Sequence, residues 1–211
     1  MIGSGLATGL GIVRGRLGRT GLATVALLAV AVIAAACETA PPRYESTPPS
    51  FAGLPPLVFD LDRIEVVELP AAPHPEDVDH LLPTPPAVAV GIWVTDRLRA
   101  RGTVGTLRVT VEEASARLTA LETETEFEDI FTKEQAERLD VKLHVTIEAI
   151  DHNGEVNGSA TAEATRSRTL PEGITLAERD RVYDEVIAAL LHDYNATQEK
   201  AIRQYLALYL L

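Results

Sequence analysis

The sequence predicts an α+β domain: a four-stranded, mostly antiparallel sheet with two helices packed on one face, in the order β-α-β-β-β-α. Three observations predict it. From Arg138 to Ile150 the residues alternate without a break, with Leu139, Val141, Leu143, Val145, Ile147 and Ala149 on one side and Asp140, Lys142, His144, Thr146 and Glu148 on the other. Such alternation describes a strand with one buried and one wet face. From Thr175 onward the apolar residues take a helical period, and Thr175 with Glu178 has the spacing of a capping box. Twelve of the 13 prolines fall between Pro41 and Pro86, so regular structure concentrates beyond Pro86.

The amino terminus reads as an address. Arg14, Arg16 and Arg19 precede Gly21–Ala36, an uncharged apolar run of 16 residues. A membrane span needs about 20. Ala34, Ala35 and Ala36 then lead to Cys37, the only cysteine. This stretch resembles the lipobox of bacterial lipoproteins, with Ala34 where that pattern usually has Leu. The resemblance implies a signal peptide over residues 1–36, cleavage before Cys37 and a diacylglycerol on its sulfur. Further acylation of the new amino terminus would make the anchoring stable. Read instead as an uncleaved anchor, the run still leaves the remainder outside the cytoplasm. Glu38 follows the lipidated position, where Asp favours the inner membrane in enterobacteria, so the outer membrane is favoured over the inner. Residues 37–56 read as the lipidated cysteine and an extended proline-rich tether reaching about 50–60 Å. Residues 57–211 read as a single α+β periplasmic domain.

Within that domain, Leu57–Leu69 is the first strand, and its alternation changes phase near Arg63 as if at a bulge. Thr84 as N-cap, with proline in the first turn, opens a helix expected to run to Arg101 and stop at Gly102. Arg97, Arg99 and Arg101 would then meet the negative end of its dipole. Thr106–Leu121 is the second strand, with another phase change near Glu113. Glu122, Glu124, Glu126, Glu128 and Asp129 form an acidic connector with a helical turn at Thr132. Asp151–Gly154 makes a hairpin turn, and Glu155–Leu170 returns as the fourth strand. Its inner face is Val156, Gly158, Ala160, Ala162 and Ala164, small enough for a helix to approach closely. The closing helix is expected to reach Leu211, with a kink or exposed turn at Asn195–Lys200.

Charge excludes some functions. The chain carries −12 at neutral pH, and removal of residues 1–36 takes three arginines and no acid, leaving −15. Neither nucleic acid nor an anionic membrane surface attracts such a chain, so membrane attachment falls to the lipid. His74 and His80 with Glu76, Asp77 and Asp79 could in principle hold a cation, but the spacing fits a solvated acidic loop better. No nucleophile motif or phosphate loop is present, so no enzyme, cofactor or metal is expected. Arg166 and Arg168 share one side of the fourth strand, the helix-facing one if its phase persists. They read either as structural ion pairs, with Glu178 or Glu172, or as a clamp for an anionic head group or a partner's acid. Tyr194, Tyr205 and Tyr209 with Leu206, Leu208 and Leu210 make the last helix apolar on more than one face, which suits partner docking, self-association or deeper burial.

Two stretches resemble a family of uncharacterised small lipoproteins of Gram-negative bacteria. One is Val78-Asp79-His80-Leu81-Leu82-Pro83-Thr84-Pro85-Pro86 running into Trp93, Asp96, Arg97, Leu98, Arg99 and Ala100. The other is Arg166-Ser167-Arg168-Thr169-Leu170-Pro171-Glu172 running into Leu176-Ala177-Glu178-Arg179. In topology the domain is similar to the auxiliary lipoproteins of ABC-type lipid transporters and to the lipopolysaccharide-assembly lipoprotein. The resemblance transfers no active site. It implies a non-enzymatic envelope lipoprotein, an accessory or docking subunit for envelope transport or outer-membrane assembly. Its partner would be an envelope protein or a second copy of itself. The alternative is a periplasmic module binding a lipid or small ligand between sheet and helices.

Overall fold

The long alternating strand, β5 (Gln135–Ile150), is the centre around which the chain is built. The structure is a computed structural model, and it describes residues 44–121 and 135–211. The predicted signal peptide, Cys37 and the acidic connector from Glu122 to Thr132 lie outside the described residues. On one side β5 pairs antiparallel with β4 (Thr106–Ala120), and on the other with β6 (Val156–Pro171). β2 (Arg63–Glu68) adds to β4 in parallel, so the sheet is mixed, in the order β2-β4-β5-β6. Helices α1 (Pro86–Arg97) and α2 (Leu176–Tyr205) cover one face.

The covered face follows from the pattern. All six apolar residues from Leu139 to Ala149 have 0% exposure. At about 1.5–3 kcal/mol for each large side chain, they make this strand a major apolar contributor to stability, beside the buried stripe of α2. β4 presents Leu107, Val109 and Val111 to them, and its register then shifts between Val111 and Glu113, in agreement with the phase change in the sequence. The shift keeps Ala116 in the core. On β6, Ala160, Ala162 and Ala164 are buried beneath α2. The helix comes so close that a Cβ on Gly158 would stand 2.8 Å from Leu206 Cδ2. Val156, expected on that inner face, is half exposed: the register shifts between Ala149 and Ile150, so Val156 pairs with Ile150 and leaves the alternation that buries Ala160, Ala162 and Ala164.

Other expectations need correction. The first strand is two strands in two sheets: β1 (Leu57–Phe59) pairs in parallel with β3 (Leu98–Ala100), while β2 joins the main sheet. The phase change near Arg63 is therefore a change of sheet, not a bulge. α1 ends at Arg97 because Leu98 turns extended, buries its side chain and pairs with Leu57. Gly102 stops no helix. Its role is close approach, since a Cβ there would lie 2.4 Å from the Asp60 carbonyl carbon. Thr84 is not the N-cap; Pro85 holds that position and Pro86, lacking an N–H, opens the helix.

At α2 the capping box forms, with Glu178 N donating to Thr175 Oγ1 at 3.3 Å and Thr175 N donating to Glu178 Oε2 at 3.0 Å. The helix runs unbroken to Tyr205, with no kink at Asn195–Lys200, and stops short of Leu211. A 3-10 turn at Ala207–Tyr209 comes next, and the chain end bonds back to β1 through Leu211 N and Val58 O at 2.9 Å.

The described part of the predicted tether, residues 44–56, is a strap lying on the helices. Tyr44 donates to Asp184 Oδ2 at 2.9 Å, and the Arg181 guanidinium stands 5.6 Å from its ring centroid. Ser50 Oγ and Phe51 N both donate to Asp96 Oδ2, at 3.0 and 2.7 Å. The Pro55 carbonyl accepts from Arg97. The aromatic rings and these hydrogen bonds hold a proline-rich segment that composition alone assigns to solvent.

Candidate functional site

Three places concentrate chemistry. The first is a polar node between the helices. Arg97 is 1% exposed. Its Nε donates to Asn195 Oδ1 at 3.0 Å, and its two terminal nitrogens bond the Pro55 carbonyl and Glu199. Trp93 Nε1 donates to the same Asn195 oxygen at 2.9 Å, and the Trp93 ring meets Tyr194 edge-on with centroids 5.0 Å apart. Glu199 also holds Arg203 at 2.7 Å. Every charge in this node is answered, so it fastens α1, α2 and the strap together. Sequence reading missed it. The available signal was Asn195 and Gln198, polar residues at helical spacing on a stripe that also carries Leu191, Tyr194 and Ile202.

The second place is the arginine pair on β6. Arg166 and Arg168 lie on the helix-facing side, as the alternation required, but beyond the buried alanines and exposed. Arg166 pairs with Asp193 of α2 rather than with Glu178 or Glu172. Glu178 is committed to the capping box. Arg168 has no ion pair or side-chain hydrogen bond among the described residues. The two border a groove of about 160 Å³ floored by Val186 and Ala189, with Glu185 on its rim.

The third place is the carboxy-terminal end of α2. Here the predicted tyrosines part company. Tyr194 is fully buried against Trp93, and burial pushes its hydroxyl pKa upward, so it belongs to the domain's own core and not to a docking surface. Tyr205 is 59% exposed. Tyr209 packs partly on the core, and its carbonyl accepts from Asp60 N at 2.8 Å. Around them Leu208 is 95% exposed, Leu211 71% and Val156 51%. Gly158 lies beside Tyr205, Leu206 and Tyr209, which brings the start of β6 to this same end.

The histidine-rich loop is fastened to the sheet. Asp77 Oδ2 accepts from His74 N at 2.6 Å, which holds its carboxyl below the usual range, and Asp77 also pairs with Arg117 at 3.2 Å. Asp79 accepts from Ala116 N at 2.6 Å, and its partial burial raises its pKa. Asp79 also lines a groove of about 360 Å³ with Glu68, Glu112 and Glu113, whose last two members are engaged. Glu113 holds Lys142 at 2.8 Å, and Glu112 accepts from Thr146 at 2.6 Å and faces His144 at 3.1 Å.

No protein-family model matches the chain, and no curated protein does. Among solved structures, a minor lipoprotein from Acinetobacter baumannii is similar to it at 17% identity and a TM-score of 0.37. The match covers 71% of this chain and 96% of that one. No residue role is carried over from it. Among the described residues, no helix is long and apolar enough to cross a membrane.

Proposed function

We propose that this protein is a non-enzymatic lipoprotein of the cell envelope, anchored through Cys37, that docks a partner through the carboxy-terminal end of α2. The anchoring half rests on the sequence from Arg14 to Cys37. The docking half rests on one observation: Tyr205, Leu208, Leu211 and Val156 stay exposed at the same end of the domain, beside a core that is otherwise filled. A filled sheet–helix interface favours docking over an internal ligand. It contains Trp93, Tyr183, Tyr194 and Leu190, each no more than 1% exposed. The outer membrane is the favoured location because of Glu38.

The partner's chemistry follows from the rim of this end. Asp151 and Glu155 precede Val156, while exposed Lys200 and Arg203 stand in the last turns of α2, so the rim carries both signs. The partner proposed is a different envelope protein, apolar at its centre and with charges of both signs at its border. Lipid confinement would raise the effective concentration of each near the other.

Two experiments test the two halves. Cys37→Ser is expected to abolish palmitate labelling and detergent partitioning; unchanged labelling removes the anchoring claim. A photo-crosslinker at Leu208 in intact cells is expected to yield a discrete adduct that Leu211→Asp with Val156→Asp abolishes, while the thermal melt stays in place. An adduct only with itself would make the partner a second copy, and no adduct would remove the docking claim.

A further inference from the structure

We infer that the strap decides which end of the domain faces the lipid surface: the corner at Tyr44, Arg181 and Asp184 is held towards the bilayer, and the apolar end of α2 is turned away from it. This rests on the anchoring reading of Cys37. A free tether over residues 37–56 would let the domain tumble at about 50–60 Å from its lipid. The strap removes most of that freedom. Tyr44 is tied to Asp184, the chain at Ser50 and Phe51 to Asp96, and Pro55 to Arg97. Only Glu38 to Arg43 then separate Cys37 from the fastened chain. Even fully extended, the steps from Cys37 to Tyr44 span about 25 Å.

The distance along the domain is longer than this leash. Asp184 is the ninth of the 30 residues of α2, and Tyr205 is the last. At ~1.5 Å per residue they are about 30 Å apart. The lipid therefore pulls on the amino-terminal third of the helix, and an orientation with α2 upright and Tyr205 at the membrane lies beyond the leash. The same corner holds Arg168, since Glu185, next to Asp184, rims the arginine groove. Its guanidinium has no carboxylate among the described residues and is free for head-group phosphates.

The chain's single cysteine makes the test direct, because acylation consumes it and an introduced cysteine is the only free thiol. The acylated full-length mature protein is reconstituted in phosphatidylethanolamine–phosphatidylglycerol vesicles carrying an acceptor dye on a head group. A donor dye is attached at Ala188→Cys, one turn beyond Asp184, or at Leu208→Cys. Energy transfer is expected to be at least about twofold greater from position 188, given ~30 Å between the two. Tyr44→Phe combined with Asp96→Ala frees the strap and is expected to shrink that difference. Equal transfer from the two positions in the otherwise unaltered chain would overturn the inference. Greater transfer from position 208 would also overturn it, and would mean that the apolar end enters the membrane. Loss of vesicle flotation and of palmitate labelling would sink the anchoring reading and this inference together. Flotation with equal transfer would sink this inference alone.

Discussion

Arg97 and Arg168 both lie beside α2, yet their surroundings are opposite. Arg97 is 1% exposed and reaches three acceptors from two segments, Pro55 of the strap and Asn195 and Glu199 of α2. Arg168 stands at the surface of an edge strand, with no acceptor for its side chain among the described residues. Between them is Arg166, exposed and tied to Asp193 alone. The series separates architecture from availability. A guanidinium taken out of water must have its donors answered, and once they are, it cannot serve a partner without breaking the fold. An exposed guanidinium costs little to leave open, and it can be met from outside.

The largest effect should come from Arg97. Arg97→Ala removes the cation and leaves Glu199 and the Pro55 carbonyl without it, and is expected to lower the unfolding free energy by about 3–5 kcal/mol in urea titration. It should also free the strap, seen as faster proteolysis within residues 44–56. A loss below about 1 kcal/mol would erase the distinction between the two arginines. Asn195→Ala tests the same node from the other side. Its oxygen accepts from both Trp93 and Arg97, so each abandoned donor should cost about 1–3 kcal/mol.

These predictions also mark what could be read without the structure. The covered face of β5 and the capping box were legible, because a period of two and a four-residue spacing are local patterns. The bulge at Val111 was legible for the same reason. The sheet change at Asp60–Asp62 was not. A phase slip looks the same whether the strand bulges or leaves for Leu98, and Leu98 lies some 40 residues away in the sequence. The strap was hidden because Tyr44 and Phe51 sit among prolines, and their partners, Asp184 and Asp96, are far along the chain. For the candidate sites, the facing of Arg166 and Arg168 was legible and their partner was not. Glu178 was the near choice, but the capping box had claimed it. Arg97 was placed at a helix end to meet the dipole, since nothing local announces that three distant acceptors converge on it.

A smaller effect is expected on the open face of the sheet, where Lys142 and Glu113 are 2.8 Å apart. The hydrogen bond from Lys142 holds the Glu113 carboxyl below its usual range. The pair therefore adds stability above the ordinary carboxylate pKa and loses it as pH falls through the lowered one. Lys142→Met should flatten that acid limb, with a change under about 1 kcal/mol at neutral pH because both groups are partly exposed and screened. Raising the salt concentration should reduce the wild-type contribution in the same direction. A pH profile indistinguishable from that of the variant would place this cation with the unpaired ones.

Arg168 should show the smallest change in stability and, at the membrane, a change that stability does not report. With no partner to abandon, Arg168→Ala is expected to shift the unfolding free energy by no more than about 0.5 kcal/mol. If this guanidinium meets head-group phosphates, the same substitution should lower energy transfer from position 188 to a labelled vesicle while leaving transfer from position 208 as it was. Arg166→Ala supplies the control, because its loss frees Asp193 and should cost up to about 1 kcal/mol without a specific effect at 188. Equal effects of the two substitutions on transfer would mean that the corner responds to net charge alone. A stability loss at Arg168 matching that at Arg166 would show that it has a partner in the fold, and the contrast with Arg97 would then be one of burial and not of availability.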